Sequence, residues 1–134
     1  MKLALDLPAL PDIGRVGGNA RRRLAWWEQR EATKEEWEKW WYLIIEALQG
    51  QPRPRFSKAK AAVTLVFKEH RRRDLVDNVA MSLKPLWDVL VRMEILKDDS
   101  SFYLTGFNLS SEVDPGRAPL TKLVLEEDGR GDES

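Results

Sequence analysis

Residues 60–99 read KAAVTLVFKEHRRRDLVDNVAMSLKPLWDVLVRMEILKDD, and this stretch decides the fold. Val63, Leu65 and Phe67 alternate with Ala62, Thr64 and Val66, the pattern of a strand over 60–67 with both faces at least partly covered. After a basic loop, Val79, Leu83, Trp87, Leu90 and Val91 recur at helical spacing. They predict a helix from about Asp77 to Met93, bent at Pro85, which lacks an amide hydrogen and crowds the preceding turn. A buried strand leading into an amphipathic helix is the unit on which the rest is arranged.

Upstream, residues 2–7 alternate weakly as a first strand, ended by Pro8 and Pro11. The segment from Asp12 to Arg23 contains Gly14, Gly17 and Gly18 and reads as a surface loop carrying a basic cluster. Thr33-Lys34-Glu35-Glu36 has the form of a capping box. Behind it Trp37, Trp40, Trp41, Ile44 and Leu48 predict a helix of about four turns, stopped by Gly50 and Pro52. Residues 51–58 read as a linker inside the domain. Downstream, Phe102–Leu109 and Thr121–Leu125 read as two antiparallel strands joined by a loop containing Pro115-Gly116. The order β-α-β-α-β-β points to an α+β domain, a small mixed sheet with two main helices.

The 134 residues suffice for one domain with a real core. We place that domain at 1–127 and read 128–134 as an acidic, disordered tail. Lys plus Arg equals Asp plus Glu at 22 each, but the charge is unevenly spread. From Glu126 onward five acids face Arg130, a net of minus four, so residues 1–125 carry plus four. Arginine clusters at 21–23 and 71–73, compatible with an anionic polymer as partner. The absence of cysteine excludes disulfides, thiolate nucleophiles and zinc–thiolate sites, and the single His70 excludes a multi-histidine metal site within one chain. No apolar run has the length of a membrane span and no signal-peptide pattern opens the chain, so the expectation is a soluble, cytoplasmic protein.

The residues able to do chemistry are concentrated in the quoted stretch. Phosphodiester hydrolysis with magnesium needs hard oxygen ligands with coordination positions left for phosphate and water. Asp74 and Asp77 open the second helix, and Asp98 and Asp99 lie just beyond its end. The helix would hold its ends ~20 Å or more apart at ~1.5 Å per residue, so the chain must turn back after Met93 or the kink must shorten the reach. Asp74-x-x-Asp77 is also what a helix start looks like, one aspartate capping and the other meeting the positive end of the dipole, and spacing alone favours that structural reading. Asp98-Asp99-Ser100 reads equally well as a polar turn. Arg71-Arg72-Arg73 tips the balance: three adjacent cations repel one another, and a phosphate neutralises them. Arg21-Arg22-Arg23 repeats the feature. Of the six tryptophans, Trp37, Trp40 and Trp41 follow the helix period and read as packing. Trp26 and Trp27 sit in a loop beside the first triplet, where stacking on bases is open but packing is the favoured reading.

From Arg71 to Ser100 the chain resembles the RusA-type Holliday-junction resolvases, particularly their phage and prophage versions. Their basic residues, Asp-x-Asp-Asn motif, Lys-(Pro)-x-x-Asp segment and Asp-Asp pair have counterparts here. These are Asp74 and Asp77-Asn78, Lys84-Pro85-Leu86-Trp87-Asp88, and Ile95-Leu96-Lys97-Asp98-Asp99-Ser100. Asn19, Arg21, Trp26-Trp27, Arg30, Thr33 and Trp37 look like that family's first loop and helix. The resemblance implies a RusA-like homodimer using Mg2+, with Mn2+ a possible substitute, that resolves four-way or related branched DNA by paired nicks. It implies Asp74, Asp77 and Asp99 as metal ligands, Lys84 as a catalytic cation near the scissile phosphate, and a bacterial or phage-encoded origin. Arg21, Arg22, Arg23, Arg71, Arg72 and Arg73 would grip DNA. The chain departs from the family in having Asp-Leu-Val-Asp where Asp-x-Asp is the rule. Residues two apart share a face in a strand, residues three apart in a helix. If the extra residue is not absorbed, Asp74 turns away. The competing class is a non-catalytic dimer that binds branched DNA with a degenerate metal site.

Overall fold

The computed structural model describes residues 1–129. Strands β1 (Lys2–Leu7), β2 (Ala59–Phe67), β3 (Leu104–Val113) and β4 (Leu120–Glu127) form one mixed sheet in the order β1-β4-β2-β3. β2 is antiparallel to β4 and parallel to β3, with Val63 opposite both Leu123 and Leu109. The last two strands run in opposite directions as the sequence suggests. They are not neighbours, however, because β2 lies between them. β2 has the most apolar strand sequence, and it takes the central place where both edges are hydrogen-bonded.

The helices are α1 (Ile13–Val16), α2 (Gly18–Arg23), α3 (Trp26–Leu48), α4 (Ala80–Ser82) and α5 (Lys84–Arg92). The core lies between one sheet face and α3 and α5. Leu5, Leu7, Val63, Leu65, Leu123 and Leu125 meet Trp40, Ile44, Leu86 and Leu90, all buried. Burial of side chains of this size contributes ~1.5–3 kcal/mol each before chain entropy is subtracted. No described helix is long and apolar enough to cross a membrane.

Three expectations need correcting. The 12–23 segment is not a loop: α1 and α2 occupy it, and they pack against the 75–79 turn and α3. The first long helix starts at Trp26, so Thr33 lies within it, and Trp26 and Trp27 form its first turn rather than a loop. Glu28 supplies the N-terminal contact by accepting from the Ala25 N–H at 3.2 Å. The helix stops where expected, with Gln49 and Gly50 both at positive φ. The third correction concerns the second helix, which is broken rather than bent. One π-type turn (Leu75–Val79) leads into α4, Leu83 breaks the helix, and Pro85 falls in the first turn of α5. There its missing N–H has no helical partner to lose.

Asp128, assigned to the tail by sequence, is 6% exposed. Its N–H donates to Lys58 O at 2.9 Å and its carboxylate accepts from Thr105 Oγ1 at 2.5 Å. The remainder of the expected tail, from residue 130, lies outside the described residues.

Candidate nucleic-acid interface

The loop after β2 folds on its own arginine. Arg73 stacks on the Phe67 ring with its guanidinium carbon 3.6 Å from the centroid, and donates to the carbonyls of Arg71 (3.1 Å) and Glu69 (3.3 Å). Burial and the neighbouring Arg71 push its pKa below the usual arginine value. The loop thus faces Arg71 and Arg72 outward, and their side chains make no hydrogen bond or ion pair among the described residues.

Opposite this loop stands α2 with the other triplet. A cleft of about 490 Å³ lies between them, lined by Arg23, Arg71, Arg72, Arg73, Asp74 and Asn78 among others. Arg23 of the first triplet and all three arginines of the second, some fifty residues on, therefore line a common space. Asn78 fastens the two walls: its Oδ1 accepts from the Asn19 N–H at 3.0 Å. The approach is tight, since a Cβ on Gly17 would come within 2.5 Å of Ile13 O and 2.8 Å of Asn78 O. The sequence reads Gly17 and Gly18 as loop residues and gives Asn78 only as part of the Asp77-Asn78 motif, with no role in joining the two walls. A Gly-Gly pair beside a basic run was the available signal of close backbone approach.

Asp74 caps the 75–79 turn, its Oδ1 accepting from the Asp77 N–H at 3.2 Å. The turn closes with a wider hydrogen bond than an α-helix, from Val79 N to Asp74 O at 2.9 Å, five residues back. Arg22 sits beside both carboxylates: its Nη2 donates to Asp77 Oδ2 at 2.5 Å and its Nη1 to Asn19 Oδ1 at 3.1 Å. The hydrogen bond and charge of Asp77, with a contribution from Asp74, raise the Arg22 pKa.

Asp99 belongs to a second cluster. Its N–H donates to Asp98 Oδ1 at 2.8 Å, while its carboxylate takes a close ion pair from Lys84. Lys84 also reaches Asp88 Oδ1 at 3.2 Å, and Asp88 Oδ2 accepts from Trp37 Nε1 at 3.1 Å. The Asp99 hydrogen bond, more than the Asp88 contacts, raises the Lys84 pKa. The link to Asp88 and Trp37 was not foreseen from sequence. Arg21 and Lys84 face each other across Ala80, Met81 and Trp87. Met81 in turn adjoins Gly18, next to Asp77.

The predicted metal ligands do not meet within the described residues of one chain but fall into two groups. Asp74, Asp77 and Arg22 form one; Lys84, Asp88 and Asp99 form the other. Among the described residues no three acidic or imidazole side chains of one chain gather as a metal cluster. The chemistry of Asp74 and Asp77 nevertheless suits a hard divalent cation, for both offer only carboxylate oxygen and a cation of the protein already stands beside them. Trp26 and Trp27 are 68% and 60% exposed and pack edge to face, so they contribute little to the core. No protein-family model matches this chain, and no curated protein matches it.

Proposed function

We propose that this protein is a magnesium-dependent endodeoxyribonuclease of the RusA resolvase type, acting as a homodimer on four-way or related branched DNA. The observation that carries the reading is the convergence of Arg23 and Arg71–Arg73 on one cleft with Asp74 in its wall. A phosphate entering there meets the outward guanidiniums of Arg71 and Arg72 and neutralises charges that otherwise repel. The grip is on backbone phosphates and carries no sequence information of its own.

Asp74 and Asp77 would hold the magnesium, with Asp99 the third ligand that the family resemblance implies. Bound there, the ion would supply charge neutralisation on the phosphate and lower the pKa of water. Lys84, fixed by Asp88 and Asp99, stands outside that cleft and lines a pocket with Arg21. Arg22 keeps the Asp74–Asp77 pair compensated until substrate or metal arrives. A twofold dimer would present two such centres to opposed strands of a pseudo-symmetric junction.

The test is a labelled four-way junction incubated with the protein and magnesium. Paired nicks in opposed strands support the enzyme. A retarded complex with intact strands supports a non-catalytic junction binder instead.

A further inference from the structure

On the far side of Asp88 from Lys84, α3 and α5 form a groove of about 670 Å³ with Trp37 and Trp41 in its floor. Arg30, Lys34 and Arg92 stand along it against a single carboxylate, Glu38. Both indoles are partly buried against the core and carry cations: the Arg92 guanidinium carbon lies 4.0 Å from the Trp37 ring centroid, and that of Arg53 lies 5.3 Å from Trp41. We propose that this groove holds an unpaired single strand of nucleic acid, its bases stacked on Trp41 and on the Arg92–Trp37 pair and its phosphates met by Arg30 and Lys34.

Three features favour that occupant. Every base has a π face, so an aromatic floor accepts any of the four, and a cationic rim follows the backbone between bases. A guanidinium lying over an indole can shift to cover one side of an inserted base. The groove also adjoins the candidate cutting site, because Trp37 donates to the same Asp88 that holds Lys84. An apolar peptide would leave Arg30, Lys34 and Arg92 without counter-charge.

The inference deepens the nuclease reading by adding a site for the unpaired part of a branched substrate, and it is tested apart from cleavage. The probes are a labelled oligothymidylate and a blunt duplex of the same length, titrated without metal against the whole protein. Trp41→Leu should weaken oligothymidylate binding roughly tenfold and leave duplex binding within about twofold, while Trp41→Phe, which keeps a stacking ring, restores most of the affinity. Arg92→Gln should weaken the same binding and reduce its salt dependence. No binding of oligothymidylate by the wild type overturns the proposal. So does an unchanged affinity in Trp41→Leu, or an equal loss for both probes. Trp41-dependent strand binding by a protein that cuts no junction upholds the groove and removes the nuclease. Junction cleavage without oligothymidylate binding does the reverse.

Discussion

Arg22 and Asp77, 55 residues apart, are joined by a 2.5 Å hydrogen bond from Nη2 to Oδ2, linking α2 to the turn that opens the second helical segment. Both side chains are well exposed, 63% and 36%, so the pair adds little to stability. Its effect is on the site. Arg22 is a cation already standing where a metal would have to approach Asp74 and Asp77. Arg22→Gln should therefore tighten Mn2+ binding, read by calorimetry or electron paramagnetic resonance, while weakening DNA binding. Unchanged Mn2+ affinity would mean that Asp77 is not a ligand.

Gly17 tests the wall of the cleft. A methyl group there meets the backbone carbonyls of Ile13 and Asn78, neither of which is a flexible side-chain end. Gly17→Ala should cost ~1–3 kcal/mol of stability, the range for overpacking, in urea unfolding. An unshifted midpoint would contradict the tight contact between α2 and Asn78.

Lys84 carries a pH dependence with a definite sign. Its pKa is raised above the ordinary 10.5 by the Asp99 hydrogen bond. The stability it contributes is present below the unfolded-state value and lost as pH rises through the higher folded-state value. The difference in Tm between wild type and Lys84→Met should hold steady between about pH 7 and 9 and shrink above about 10.5. A difference already vanishing near neutrality would refute the pairing with Asp99.

Arg72 faces the cleft without an internal partner, so its loss should fall on binding alone. Arg72→Ala should weaken junction affinity and lower the slope of log affinity against log salt by about one. Thermal stability should stay within about one degree of wild type. An unchanged salt slope would place phosphate elsewhere.

Much of the fold was legible where period and burial agree. β2 alternates because one of its faces meets the helices, and the Trp40–Ile44–Leu48 stripe repeats every four residues because α3 lies on that face. What escaped depends on long-range contact. Glu36 sits in the buried stripe of α3, where a carboxylate looks out of place. It is held by Lys39 at 2.6 Å and by the Asp12 N–H at 3.2 Å, a partner that only the tertiary fold supplies. The position of β4 between β1 and β2 is likewise fixed by pairing that no local pattern records. At the site, the arginine triplets and the aspartates were visible as residue types. Their grouping was not, because Gly17–Asn78 and Trp37–Asp88 are contacts between segments distant in sequence.

The most direct measurement compares wild type with Asp99→Asn on a strand-labelled four-way junction, scoring binding without metal and nicking with magnesium. The account predicts paired nicks by the wild type, and by Asp99→Asn cleavage reduced at least a hundredfold on a junction bound as tightly as before. Equal cleavage by both proteins would contradict it.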